Sequence, residues 1–180
     1  MRAGDDKLEG YIPMIHVYTG NGKGKTTAAL GMALRAAGAG LKVYICQFAK
    51  GRSYSELRSL KKLKNIKIEQ FGTTCFIRRK AGRKDIKLAQ DGLRHAEKAI
   101  RGGKYDMIVL DEINIALHLG LLVKKDILGA MKAAPARIEL VLTGRYAHPE
   151  VIKAADLASE IKELKHYYKK GVKARRGIEF

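Results

Sequence analysis

Thr19-Gly20-Asn21-Gly22-Lys23-Gly24-Lys25-Thr26-Thr27 is the stretch on which the reading of this chain turns. It follows the apolar run Met14-Ile15-His16-Val17-Tyr18 and opens an alanine-rich helical pattern, so it reads as strand, loop, helix. That is the setting of a phosphate-binding P-loop. Gly20, Gly22 and Gly24 let the backbone curl so that its N–H groups face an anion. The helix that follows points its positive dipole end at the same place. Lys25 adds a full charge against the phosphates, and Thr26 offers a hydroxyl to Mg²⁺. The strict pattern, G-x-x-x-x-G-K-[ST], would put its first glycine at Thr19; Gly20 stands one position late.

On the C-terminal side of this loop, strands and helices alternate. Strands are predicted at about 14–18, 41–46, 66–71, 107–110, 138–142 and 157–164. Helices are predicted at about 25–37, 53–63, 85–101, 124–134 and 149–155. The first helix is apolar nearly all round, which predicts burial against a sheet. Ser53 or Ser55 is the expected cap of the second. Residues 72–83 read as a loop, residues 1–13 as an N-terminal arm, and 14–180 as a single domain ending in a basic tail. The alternation predicts an α/β fold with a mostly parallel sheet flanked by helices. The near-continuous apolar strands 107–110 and 138–142 agree with it.

Ligands of such sheets bind at the carboxyl ends of the strands. Three chemically loaded stretches end strands here and should converge: the P-loop, Asp111-Glu112 and Thr143-Gly144-Arg145. Asp111-Glu112 after four apolar residues resembles a Walker B element, whose carboxylate holds Mg²⁺ opposite Thr26. Spacing leaves open which acid touches the metal. Arg145 could stabilise phosphate charge or be a surface arginine. His118 and His16 read as partly buried structural histidines, and Cys46 as a small core residue.

Composition bounds the rest. A chain of 180 residues, 46% hydrophobic and 30% charged, suits one soluble domain. No apolar stretch approaches the ~20 residues of a membrane span, and Met1–Gly10 lacks the apolar core of a signal peptide. Two separated cysteines, Cys46 and Cys75, fit free thiols in a reducing cytoplasm. The net charge of +18 favours polyanions, though lysine-rich solvated surfaces also occur on proteins from hot environments. Seven basic residues lie in 50–67, six in 78–87 and seven in 162–176. Most are expected to be solvated surface.

Taken together, the residues resemble the ATP:corrinoid adenosyltransferases of the CobA/BtuR type. The matching stretches are His16–Ala29, Gln47-Phe48-Ala49-Lys50-Gly51, Val109–Asn114, Leu142-Thr143-Gly144-Arg145, Glu160 through His166, Gly171–Ala174 and Gly177-Ile178-Glu179-Phe180. The family's loop also starts one glycine late. The resemblance implies a RecA-like P-loop NTPase fold, commonly dimeric, that binds its nucleotide in a reversed sense. It implies transfer of the 5′-deoxyadenosyl group of ATP to a reduced cobalt(I) corrinoid, with release of triphosphate. The corrinoid would be cobyrinic acid a,c-diamide, cobinamide or cobalamin, with a flavoprotein reductase supplying Co(I). Lys25 and Glu112 are then the candidate catalytic residues. Gly20, Asn21, Gly22, Lys23, Gly24, Lys25, Thr26, Thr27, Arg145 and Phe76 are the candidate substrate-binding positions. Thr26, Asp111 and Glu112 are the candidate ligands of Mg²⁺ or Mn²⁺. One departure stands out. Relatives carry a Gly-Phe-Thr-Trp-like run whose aromatics crowd the lower corrinoid face. Here the run is Gly72-Thr73-Thr74-Cys75-Phe76, with no tryptophan in the chain; Phe76 is the candidate substitute, one residue late, or simply a core residue.

A RecA-like ATPase that binds nucleic acid is the alternative that the charge would favour. Against it, aromatics do not interleave with the first two basic clusters, as stacking on single strands requires. A small-molecule kinase would need a base beside its acceptor, and none stands out.

Overall fold

The computed structural model describes residues 12–73 and 81–180, and in it six strands form one parallel sheet. These are β1 (Ile15–Thr19), β2 (Val43–Phe48), β3 (Ile66–Phe71), β4 (Met107–Asp111), β5 (Glu139–Thr143) and β6 (Leu157–Glu160). Their order is β3-β2-β4-β5-β1-β6, and every neighbouring pair is parallel. Between them run α1 (Lys25–Gly38), α2 (Ser55–Leu60), α3 (Arg83–Arg101), α4 (Ile113–His118), α5 (Lys124–Ala133) and α6 (Pro149–Lys153).

The strand period of two explains how helices cover both faces. Val43, Ile45, Met107, Val109 and Val141 point to one face and pack with Ala29 and Ala33 of α1. Tyr44, Cys46, Phe48, Ile108, Leu110, Leu140 and Leu142 point to the other, where α3 and α5 supply Leu93, Ala96, Ile100, Ile127 and Met131. Every residue of β2, β4 and β5 is therefore buried, while the edge strand β6 is exposed throughout. Removing a buried side chain such as Ile45 would cost about 2–5 kcal/mol.

Some local expectations are corrected. Only one face of α1 meets the sheet, through Lys25, Ala29 and Ala33, and Leu34 is 55% exposed. Its second apolar face is a cavity wall instead. Tyr54, not a serine, caps α2, and no side chain closes that cap. The Ser55 hydroxyl donates to the Phe180 carbonyl, 3.0 Å away. Helix α3 starts two residues early because the Asp85 carboxylate accepts the Gly82 N–H at 2.9 Å, which places Asp85 at the third helical position. The short α4 was not foreseen; Glu112, in a left-handed conformation, is its cap. β6 stops at Glu160. The basic tail is not simply solvated, since Tyr167 and Glu179 fold back onto the P-loop through Lys23. Among the described residues, no helix is long and apolar enough to cross a membrane.

Candidate active site

The P-loop begins where β1 ends. Thr19 is still in register with Glu160 of β6, and Gly20 is the first residue that has to turn. It does so at φ 96°, and a Cβ there would sit 2.5 Å from the Ile161 carbonyl oxygen. Gly22 is crowded by the same oxygen, at 2.7 Å, and donates its N–H to it. The chain leaving β6 thus runs hard against the loop. That contact is a physical reason for a glycine at 20 rather than 19. The buried Lys25 ammonium donates to the Gly20 and Gly22 carbonyls, 2.7 Å each, so the loop curls around its own lysine. Desolvation holds its pKa below the ordinary lysine value, against the pull of Glu112.

One strand over from β5, Asp111 ends β4 fully buried and saturated with donors. Its Oδ1 accepts from Thr26 Oγ1 at 2.9 Å and Thr143 Oγ1 at 2.7 Å. Its Oδ2 accepts from Lys50 Nζ at 2.7 Å and Gln47 Nε2 at 3.0 Å. Gln70 orients Gln47 in turn, donating to its Oε1 at 3.0 Å. Burial opposes the Asp111 charge, but Lys50 and the hydroxyls outweigh it and hold the carboxyl below its ordinary value. Glu112 behaves oppositely: burial, then the neighbouring Asp111 charge, push its carboxyl up. Its backbone is left-handed, φ 62°, a conformation that costs a non-glycine residue on the order of 1 kcal/mol and recurs at functional sites. Thr143 ties the two acids together, accepting the Glu112 N–H at 3.0 Å while donating to Asp111. Gly144 allows β5 to approach α4, since a Cβ there would lie 2.9 Å from the Ile115 nitrogen.

A cavity of about 1010 Å³ opens over these residues. Gly22, Lys23, Gly24, Lys25, Thr26 and Thr27 line it together with Lys50, Glu112 and Arg145. Leu30, Gly31 and Leu34 of α1 face Ser59 and Leu60 of α2 across it, and Gly177–Phe180 closes one side. Lys25, Lys50 and Arg145 on its wall offer positive charge to an anionic ligand, beside the acids Glu56, Glu112 and Glu179.

The structure therefore brings the three loaded stretches to one end of the sheet. Lys25, Thr26, Thr27, Glu112 and Arg145 reach the cavity, while the Asp111 carboxylate lies beneath it. Asn21 is exposed and off the wall. The side chain of Lys23 turns to the tail, donating to Glu179 Oε1 at 2.6 Å and Tyr167 Oη at 2.8 Å. Phe76 lies outside the described residues. His118 is exposed rather than partly buried, with its ring 4.2 Å from that of Tyr146. Gln47, Lys50 and Gln70 were missed as site residues, and Thr143, expected at the site as part of a converging stretch, proves to hold both acids. The signal for Gln47 and Lys50 was polar chemistry closing an otherwise apolar strand, as Asp111 closes β4.

The donors Thr26, Asp111 and Glu112 are hard oxygens, the set a small divalent cation takes. A cationic group, the Lys50 ammonium, already lies against both Thr26 and Asp111. The residues present fit such an ion.

Comparison with known proteins agrees with this chemistry. The family model "ATP:corrinoid adenosyltransferase BtuR/CobO/CobP" matches residues 12–180. The corrinoid adenosyltransferase of Pseudomonas aeruginosa is 37% identical over 166 residues, 91% of this chain and 82% of that protein. The corrinoid adenosyltransferase of Escherichia coli K12 is 33% identical over 167 residues, 93% of this chain and 85% of its own length. Corrinoid adenosyltransferase CobA of Salmonella typhimurium is similar to the same extent, 33% over 167 residues.

Proposed function

This chain belongs to the ATP:corrinoid adenosyltransferase family, and from that premise we propose how its residues divide the work. The enzyme is a transferase of P-loop fold whose substrates are ATP and a corrinoid. In the reaction, Co(I) attacks carbon 5′ of ATP, a Co–C bond forms as the C–O bond breaks, and the electron pair leaves on triphosphate. No proton has to be taken from the nucleophile, so the protein's task is placement and charge stabilisation rather than general-base catalysis.

The cavity above Lys25 carries this reading. Backbone N–H groups of the loop other than that of Gly22, which Ile161 takes, and the Lys25 ammonium hold the triphosphate and stabilise the charge gathering on it. Before ATP arrives, the P-loop carbonyls satisfy that ammonium; its turn toward phosphate exchanges one set of acceptors for a charged one. Arg145 faces the same cavity and adds positive charge to it. Thr26, Asp111 and Glu112 would hold Mg²⁺ or Mn²⁺, which supplies Lewis-acid stabilisation of the leaving group. Asn21 and Lys23 contribute through their backbone, and Phe76 takes the place of the missing aromatics below the corrinoid. A flavoprotein reductase supplying Co(I), a homodimer as the working unit and a cytoplasmic setting complete the proposal on the family's pattern.

The test is optical. The protein is mixed with ATP, Mg²⁺ and a chemically reduced corrinoid, cobyrinic acid a,c-diamide, cobinamide or cobalamin in turn. The Co(I) spectrum should give way to that of an alkylcobalt species while inorganic triphosphate accumulates. Orthophosphate release without spectral change would overturn the reading.

A further inference from the structure

The division of work above leaves Lys50 without a role, yet it is the cation paired with the buried Asp111. Its side chain is 14% exposed, and its ammonium lies 2.7 Å from Asp111 Oδ2 and 3.2 Å from Thr26 Oγ1. Those are two of the three residues assigned to the divalent cation. Asp111 has no free face to offer beside it: Thr26, Thr143 and Gln47 take the rest of its carboxylate. A metal ion and this ammonium cannot share the position, because both need the same oxygen and they repel.

The backbone that carries Lys50 is pinned. Ala49 is left-handed, φ 51°, without being glycine. A Cβ on Gly51 would lie 2.3 Å from the Gly72 oxygen, and one on Gly72 would lie 2.4 Å from the Lys50 nitrogen. The loops that leave β2 and β3 are packed backbone on backbone at this point. Any movement is confined to the four-carbon side chain, which borders the cavity and passes 5.5 Å from the centre of the Tyr54 ring.

We propose that Lys50 is a place-holding cation. Its ammonium occupies the divalent-cation position while the site is free of nucleotide, and it swings off Asp111 into the cavity, against the triphosphate, when metal and ATP enter together. The exchange keeps the buried Asp111 paired with a positive charge throughout, which a buried carboxylate requires. It also makes metal and nucleotide arrive as a unit, since the metal alone has to expel an ammonium that has no anion to go to. The inference rests on the assignment of Thr26, Asp111 and Glu112 to the metal.

Mn²⁺ binding without nucleotide, followed by electron paramagnetic resonance, tests it. Wild-type protein should bind free Mn²⁺ weakly, and Lys50→Met should bind it at least about tenfold more tightly, the repelling charge being gone. The gain should vanish in Lys50→Met combined with Asp111→Asn. Lys50→Gln, whose neutral amide can still donate to Asp111, should show the same gain and guards against a methionine variant that fails to fold; circular dichroism checks both. If folded Lys50 variants bind free Mn²⁺ no better than wild type, the place-holding role is wrong. The metal assignment is tested separately by titrating Mn²⁺ with ATP into wild type and Asp111→Asn. If Asp111→Asn binds the pair as well as wild type, the assignment itself falls, and the inference with it.

Discussion

Two acids are buried in partnered positions at opposite ends of the sheet. Asp111 is the last residue of β4 and pairs with Lys50; Glu139 is the first residue of β5 and pairs with His16. Their burial is alike, with Asp111 and Glu139 side chains 0% and 8% exposed. Their surroundings are not. Asp111 gathers two hydroxyls, an amide and an ammonium that lead to the cavity. Glu139 ties down β1, accepting the Met14 N–H at 3.2 Å and meeting His16 Nε2, while His16 Nδ1 is buried without a partner among the described residues. Burial and pairing by themselves therefore do not distinguish a site from a structural pair. What separates them is the end of the strand on which they fall, and whether the surrounding donors converge on open space.

The largest expected effect lies at the cavity end. Lys25→Ala should lower the rate of adenosyltransfer by on the order of 10²–10³, the usual loss on removing a group that stabilises a developing anion, with an unchanged circular dichroism spectrum. A folded variant that transfers at near-normal rates would remove the P-loop from the chemistry. Next, Asp111→Asn should weaken the Mn²⁺–ATP complex by roughly 10² in a titration, since loss of even an outer-shell partner costs about 10–100-fold. The same assay on Glu139→Gln should show less than about a twofold change. Equal losses in the two variants would dissolve the distinction between the two ends.

At the other end the expected effect is on stability alone. Glu139→Ala strands the His16 ring and the Met14 N–H, and should cost about 2 kcal/mol in urea unfolding, with the rate of transfer kept within about twofold at 25 °C. A loss of rate without a loss of stability would give Glu139 a functional role that its position does not suggest.

The contrast also marks what the sequence reveals by itself. The strands with near-continuous apolar residues were legible because parallel central strands must be apolar on both faces, and β4 and β5 fall within a residue of the expected bounds. The P-loop was legible because strand, glycines, lysine and helix are contiguous. The network around Asp111 was not: Gln47 and Lys50, which donate to it, and Gln70, which orients Gln47, come from two other strands or their ends, and only the order β3-β2-β4 sets them beside it. Helix α4 escaped because Glu112 enters it in a left-handed conformation instead of through an ordinary cap. The tail escaped because its lysines signal solvent, whereas its acid, Glu179, is what reaches Lys23.

The smallest effect, and the finest test of the two ends, is in pH. Glu112 has its carboxyl raised, by burial first and then by Asp111. A raised carboxyl binds its proton more tightly in the folded state. Its stabilising contribution is therefore present at low pH and lost as pH rises through the raised value. Asp111, held below its ordinary value, contributes in the opposite sense, and its contribution is lost only as pH falls through that depressed value. Between the ordinary glutamate range and the raised value of Glu112, acidification should make the nucleotide-free protein more stable while weakening its hold on Mn²⁺–ATP. The weakening is limited to about tenfold per pH unit, the slope for one proton. Glu112→Gln should flatten the stability change in that window. Parallel urea and Mn²⁺ titrations across the window decide the matter: if stability and metal affinity fall together on acidification, Glu112 is not the group that titrates at the cavity.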